Sequence, residues 1–344
     1  MRKFIAALVL LLAIVFLLTR FAELNQILAV LERGNLLYLG LALLVEAVWL
    51  TNLSAFYQSV YQVFGMLESR LHMFKLVSAA YFLTVVAPSA GLSAMAVYLA
   101  DAQRRGRSTG KVTVAAVLYV WFEQIGTLSI VVVGLAELAR RNHLHWAEIT
   151  ASLVLLAGAL IIGLLLYLGI ESTRQLSLTL AWAVRVINRA LRPVLQHDYL
   201  QEARAYSFSA ELAEGLAVMR DNPRWIIWPL LFSLVNKALL LIVLALCFLA
   251  FKVPLDASTL VCGLSIAQLF LIVSPTPAGI GIVEGILAVT LGGLGVRLDN
   301  ATVVAIAYRF FSFWIPLLVG SITFRMLGQK IPAAVQLEPG HDPD

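Results

Sequence analysis

The stretch Ser274-Pro275-Thr276-Pro277-Ala278-Gly279-Ile280-Gly281-Ile282-Val283-Glu284-Gly285 sets two prolines, three glycines and a carboxylate between long apolar runs. Proline has no N–H and halts a helix, so Pro275 and Pro277 stop the incoming arm and free its carbonyls. Hydrocarbon offers no water to open backbone groups. A helix broken at membrane depth therefore survives only inside protein or beside a wet cavity. Paired interruptions of this kind point to the substrate site of a transporter. A weaker counterpart, Ala87-Pro88-Ser89-Ala90-Gly91-Leu92-Ser93, lies in the first half of the chain.

The composition around these breaks is that of a membrane. The 344 residues are 61% hydrophobic and 13% charged, with a mean hydropathy of +0.90, where a soluble domain carries roughly 25% charged residues. The chain reads as an integral membrane protein. No nucleic-acid partner, cofactor or metal is expected. Cys247 and Cys262 lie within apolar runs without metal-ligand spacing. The histidines (His72, His143, His145, His197, His341) fall in loops or at segment ends, and His143-Leu144-His145 reads as a solvated loop. Met1-Arg2-Lys3 and the apolar run to Leu18 resemble a signal peptide. Thr19-Arg20-Phe21-Ala22-Glu23 offers no small-x-small cleavage site, so an uncleaved first span is expected.

Apolar runs of spanning length, roughly 20 residues, occupy 4–22, 36–62, 112–138, 148–170, 225–250 and 301–327, and two broken stretches occupy 73–99 and 257–292. With a cytoplasmic N-terminus and both broken stretches turning back as re-entrant hairpins, 17 Lys and Arg face the cytoplasm and six face outward. If 73–99 crossed once, Arg104, Arg105, Arg107 and Lys111 would lie opposite Arg70, against the positive-inside rule. The expected fold is an all-α integral membrane protein with six full transmembrane helices and two re-entrant helical hairpins. Its halves, 1–138 and 148–327, form an inverted-topology repeat with a site near the midplane. The alternative is eight simple helices, two of them kinked by proline. Residues 1–331 make one polytopic domain in the cytoplasmic membrane, both termini cytoplasmic. The insert 172–223 carries Leu176, Leu180, Val184, Ile187 and Leu191 at helical spacing beside Arg185, Arg189 and Arg192. It reads as a basic amphipathic helix at the headgroup level or as a plain linker. The tail 332–344 is expected to be disordered.

Ionisable residues inside spans are costly and mark function by default. Glu46 and Lys237 precede the hairpins, Glu123 and Arg309 follow them, and Glu284 lies on the second arm of the outer hairpin. Acid in half one and base in half two suggest pairing across the repeat, such as Glu123–Arg309. The bland alternative is buried ion pairs that fix helix register. A half-helix beginning after Gly279 would aim unpaired N–H groups and a positive dipole end at an anionic headgroup. Ser274, Thr276, Ser89 and Ser93 supply hydroxyls, and Arg309 can grip a phosphate with two parallel hydrogen bonds. Glu284 needs a cation, a proton or a substrate amine beside it. The candidate substrate-binding set is Pro88, Ser89, Gly91, Ser93, Glu123, Pro275, Thr276, Pro277, Gly279, Gly281, Glu284 and Arg309, with Glu46 and Lys237 secondary.

Pro275 to Glu284, followed by Tyr308-Arg309 and Phe313-Trp314-Ile315-Pro316, resembles the lysylphosphatidylglycerol synthase transmembrane-region family, also called flippase-like or UPF0104. Pro88 to Ser93 and Tyr98-Leu99 resemble its looser first-half pattern, and the likeness runs over about residues 4–327. Ala278, Ala90 and Ala94 stand where the family usually has glycine. The resemblance implies movement of lipid between leaflets, with aminoacylated phosphatidylglycerol the substrate of the two-domain members. No soluble aminoacyl-transfer domain is read in this chain, so synthase activity is not expected. A polyprenyl-phosphate carrier is an alternative substrate.

Three functions compete. The leading one is a lipid flippase without ATP, since Gly106-Arg107-Ser108-Thr109-Gly110-Lys111 has the wrong spacing for a P-loop. Glu284 and Glu123 are its candidate proton carriers. An intramembrane enzyme would need a nucleophile with a base, or a metal cluster, and the spans contain no histidine. A non-transporting subunit of a lipid- or glycan-synthesis complex would have a lipid-modifying enzyme or glycosyltransferase as its partner. The lipid, the coupling ion and the oligomeric state are not legible.

Overall fold

The structure, a computed structural model, describes Ile27, residues 30–86, 92–171, 226–274 and 276–328, and scattered positions between 174 and 216. The first apolar run, nearly all of the insert and the tail lie outside the described residues. So do Pro88, Ser89, Gly91 and Pro275. The described residues are helical, with no strand among them.

Helix α1 covers Leu36–Val63, α2 Arg70–Val86, α3 Leu92–Arg104, α4 Thr109–Arg140 and α5 Trp146–Glu171. The second half supplies α6 Ile227–Ala250, α7 Ala257–Val273, a short 3-10 turn Pro277–Gly279 and α8 Ile282–Gly293. It ends with α9 Leu298–Arg309, which runs through a π-helical turn Phe310–Trp314 into α10 Ile315–Met326. Short polar side chains start several of these helices by accepting hydrogen bonds from first-turn N–H groups: Asn35 from Leu37, Ser108 from Lys111 and Asp256 from Thr259.

Five helices are long and apolar enough to cross a membrane: α1, α4, α5, α6 and the joined α9–α10. Arms α2 and α7 have 17 residues each, and α3 and α8 have 13 and 12. At about 1.5 Å per residue even the 17-residue arms reach only about 25 Å, short of a ~30 Å hydrocarbon core. The π turn follows from Pro316, which cannot donate to the carbonyl of Ser312. That carbonyl accepts instead from the Tyr81 hydroxyl at 3.5 Å.

Packing interleaves the two halves. Helix α1 runs along α6, α2 lies along α10, and α4 lies along α7. The α1–α6 crossing is antiparallel, since Asn35 N donates to Ala250 O (2.9 Å) and Asn52 Nδ2 to Phe232 O (3.1 Å). Close approach of the other pairs depends on small residues. The space for a Cβ on Gly134 of α4 is taken by Ser265 of α7, and that on Gly320 of α10 by the Ser78 carbonyl of α2. Helix α8 folds back on α7 and α9, while α5 sits at the periphery against α4 and α7. Leu153, Val154, Leu160, Ile161 and Leu164 of α5 face outward.

Candidate functional site

Thr276 to Ile282 realises the break read from the sequence. Ala278, Gly279 and Gly281 all take positive φ (52°, 70° and 77°), which turns the chain between α7 and α8. The turn is tied internally by Ser274 Oγ and Thr276 Oγ1 at 2.9 Å and by Thr276 Oγ1 donating to Ile280 O at 3.0 Å. Glycine adopts this backbone freely, whereas an L-residue pays roughly 1–2 kcal/mol. Gly279 could not be replaced, because a Cβ there would sit 2.4 Å from Val283 Cγ2. Ala278 carries the strain. Ala278→Gly is expected to stabilise the protein by about 1 kcal/mol, read as a raised unfolding temperature in detergent. An unchanged or lowered temperature would show that the turn is not strained at this residue.

Arg309, 5% exposed at the end of α9, reaches back to this turn. Its Nε donates to Glu284 Oε1 (2.8 Å) and its Nη2 to Ala278 O (2.8 Å), and its guanidinium lies 4.8 Å from the centre of the Phe313 ring. One arginine thereby ties the turn of the break to its second arm, α8. Glu284 is the first-turn acid of α8, where the helix dipole favours its charge.

The second pair is Lys237 with Glu123. Lys237, 4% exposed on α6, donates to Glu123 Oε1 of α4 and lies 3.4 Å from Gln268 Oε1 of α7. The expected Glu123–Arg309 pair is therefore not formed. Helix α4 packs on α6 and α7, which brings Glu123 to Lys237, while α8 folds onto α9 and gives Arg309 a nearer carboxylate. Pairing across the halves does occur, but with Lys237 as the base.

The Glu123–Lys237 pair and Arg309 border one cavity of about 150 Å³, lined also by Gln268, Asn236 and Trp49 among others. A larger groove of about 360 Å³ opens between α8 and α9, with Gly285, Ala288, Val289, Leu298 and Ile306 as apolar wall and Glu284 and Arg309 at its polar end. Arg309 borders both spaces. The arrangement offers buried paired charges, spare polar atoms in a confined cavity, and an adjoining largely apolar groove.

Of the sequence-read residues, Glu123, Lys237, Glu284 and Arg309 come together here, with Gly281 on the groove wall. Thr276, Pro277 and Gly279 shape the turn. Ser93 is buried at the start of α3. Glu46 is fully buried but borders neither space. The sequence reading missed Trp49, Asn236, Gln268 and Tyr308, which line the cavity. Uncharged polar and aromatic residues are common in spans, so only their neighbours in space single them out. It also missed a cluster of Glu68, His72 and Asp101. Arg105 pairs with all three, and Arg107 with Glu68, so the cluster is a satisfied polar network joining α2 to α3.

The family model described as the lysylphosphatidylglycerol synthase TM region matches residues 4–320. No curated protein matches the chain.

Proposed function

The chain belongs to the lysylphosphatidylglycerol synthase TM-region family, and from that premise we propose that it translocates a charged-headgroup lipid, phospholipid or aminoacyl-lipid, between leaflets without ATP. The observation that carries this reading is the shared position of Arg309 between a charged cavity and an apolar groove. A lipid headgroup needs polar partners when it leaves water, and its chains need apolar surface. The two spaces supply one each. Exchange of the Glu284 or Ala278 contacts of Arg309 for a headgroup phosphate would keep the guanidinium paired throughout. The protein acts here as a carrier, not an enzyme.

The same reading includes re-entrant hairpins and an inverted repeat, and matched positions in the two halves support it. Ser78 and Ser265 are each the ninth residue of 17-residue arms. Gly134 follows Glu123 by the same eleven residues that separate Gly320 from Arg309. Glu46 and Lys237 are each the eleventh residue of α1 and α6. The pairs α2–α10 and α4–α7 exchange under such a symmetry, and α1–α6 maps onto itself. Both termini are placed in the cytoplasm of the cytoplasmic membrane on the distribution of Lys and Arg.

The test is scrambling of headgroup-labelled phosphatidylglycerol, lysyl-phosphatidylglycerol and a polyprenyl phosphate in proteoliposomes. Selective movement of one lipid is expected. Glu284→Gln is expected to abolish it while the protein stays folded, because an amide oxygen still accepts from Arg309 Nε. Movement of the polyprenyl phosphate alone would reassign the substrate to a glycan carrier. No movement of any lipid by folded protein would overturn the reading in favour of an accessory subunit of a lipid- or glycan-synthesis complex.

A further inference from the structure

Glu46 stands apart from the other membrane-embedded charges. Its side chain is 0% exposed, and neither carboxylate oxygen has a hydrogen-bond partner among the described residues. An ionised carboxylate removed from water without a partner costs several kcal/mol or more, so such a group stays neutral by holding a proton. Glu123 and Glu284, in contrast, each hold a cation. An acid already paired with Lys or Arg has little reason to bind a proton. The unpaired one does.

The surroundings of Glu46 are consistent with a neutral acid. Cys247 of α6, Tyr81 of α2 and Tyr308 of α9 lie within its electrostatic reach. These are a thiol and two phenols, uncharged in their ordinary range. The two phenols also lie within electrostatic reach of Arg309. From α4, the titratable groups that line the cavity are Glu123, held by Lys237, and Tyr119. The π turn Phe310–Trp314 contributes none.

The register of the α1–α6 crossing adds a route for exchange. Asn35 meets Ala250 and Asn52 meets Phe232, so Glu46 falls level with the turn of α6 that carries Lys237. One turn further along α1, Trp49 Nε1 lacks a partner, and so do both side-chain atoms of Asn236 beside Lys237. Trp49 and Asn236 both line the central cavity. Unsatisfied donors and acceptors therefore lead from the cavity toward the buried acid.

We infer that Glu46 is a proton-binding site of this protein, protonated in the state described, and that its loss and gain of a proton drives the central cavity between arrangements. On deprotonation the new carboxylate requires a cation, and Lys237 at the same level is the available one. Lys237 reaches Glu46 only by releasing Glu123 from α4. The proton thereby exchanges one ion pair for another across the interface of the two halves. Proton binding stands on the burial and orphaned oxygens of Glu46 alone. The coupling to lipid movement rests on the proposed translocator function.

Two measurements separate these parts. The first is the infrared carbonyl band of protonated carboxyl groups in lipid nanodiscs, titrated with pH, for wild type and Glu46→Gln. Glu46→Gln removes no partner and is expected to fold. Wild type is expected to show a protonated-carboxyl band at neutral pH that the variant lacks. Identical spectra would overturn the site. The second is lipid translocation in proteoliposomes with and without an imposed pH gradient. Wild type is expected to accelerate with the gradient, and Glu46→Gln to move lipid no faster with the gradient than without it. A wild type indifferent to the gradient, or a variant still accelerated by it, would overturn the coupling. A wild type that moves no lipid would overturn the coupling together with the translocator reading, while the infrared band still decides whether Glu46 binds the proton.

Discussion

Arg309→Met is expected to abolish lipid translocation and to lower stability by about 3–5 kcal/mol, the range for removing one partner of a buried ion pair. The side chain is nearly buried and makes three separate contacts: Glu284 Oε1, the Ala278 carbonyl and the Phe313 ring. Methionine retains much of the volume but leaves Glu284 with no counter-charge and Ala278 O with no donor. Most of the destabilisation should come from the stranded carboxylate. Arg309→Met with Glu284→Gln should therefore recover most of the unfolding temperature in detergent while remaining inactive in scrambling. Recovery of transport in that double variant would show that the pair is scaffolding, with no role in carrying the headgroup. Arg309→Lys keeps the charge but lacks the fork that reaches two acceptors at once. It is expected to fold and to transport slowly.

The second large effect concerns the seam between the halves. Gly134→Ala would put a Cβ 1.8 Å from Ser265 Oγ and 2.3 Å from Ser265 Cβ. A rotamer change can move the hydroxyl, but Cβ is fixed by the backbone, so α4 and α7 must separate. Overpacking of this kind costs about 1–3 kcal/mol. It would also disturb the hydrogen bonds from Ser265 Oγ to Ile130 O (2.8 Å) and from Cys262 Sγ to Gly134 O (3.7 Å). The separation is expected to propagate to the Glu123–Lys237 pair, which spans α4 and α6 beside the same seam. Gly134→Ala should thus lose translocation as well as thermal stability. Adding Ser265→Gly removes the obstructing Cβ and is expected to restore both. Failure of that rescue would show that the cost does not arise from the close approach of the two helices.

Much of the site was legible because intramembrane charge and broken helices are rare enough to carry information singly. Glu284, Arg309, Glu123 and Lys237 stand out in any apolar run, and the Pro/Gly-rich turn after α7 stands out by its breakers. The partners did not. Nothing in the spacing of Glu123, Lys237, Glu284 and Arg309 states which acid faces which base. Glu123–Arg309 and Glu123–Lys237 read alike until the order of helices around the cavity is known. Ala278 illustrates a different limit. Its identity in the sequence suggests a small residue in a turn, whereas its positive φ, and hence the strain, exists only in the folded backbone. The polar wall of Trp49, Asn236 and Gln268 was hidden because such residues occur singly in many spans without consequence.

By itself the sequence determined that this chain is an all-helical membrane protein, where five of its long apolar helices run, where the second-half break falls, and which charges lie within apolar helices. Those properties are local: hydrophobic length, proline and glycine backbone limits, and the cost of charge in hydrocarbon all act within a few turns of chain. Only the tertiary structure decided that α1 meets α6 while α2 and α4 cross to the opposite half. It also decided that Arg309 ties the turn of the break to α8 and that Glu46 alone among the five membrane-embedded charges is left without a partner among the described residues. The reason is physical. Inside a bilayer the hydrophobic effect does not rank one helix pairing above another, so partner choice falls to small-residue contacts and ion pairs between segments far apart in sequence.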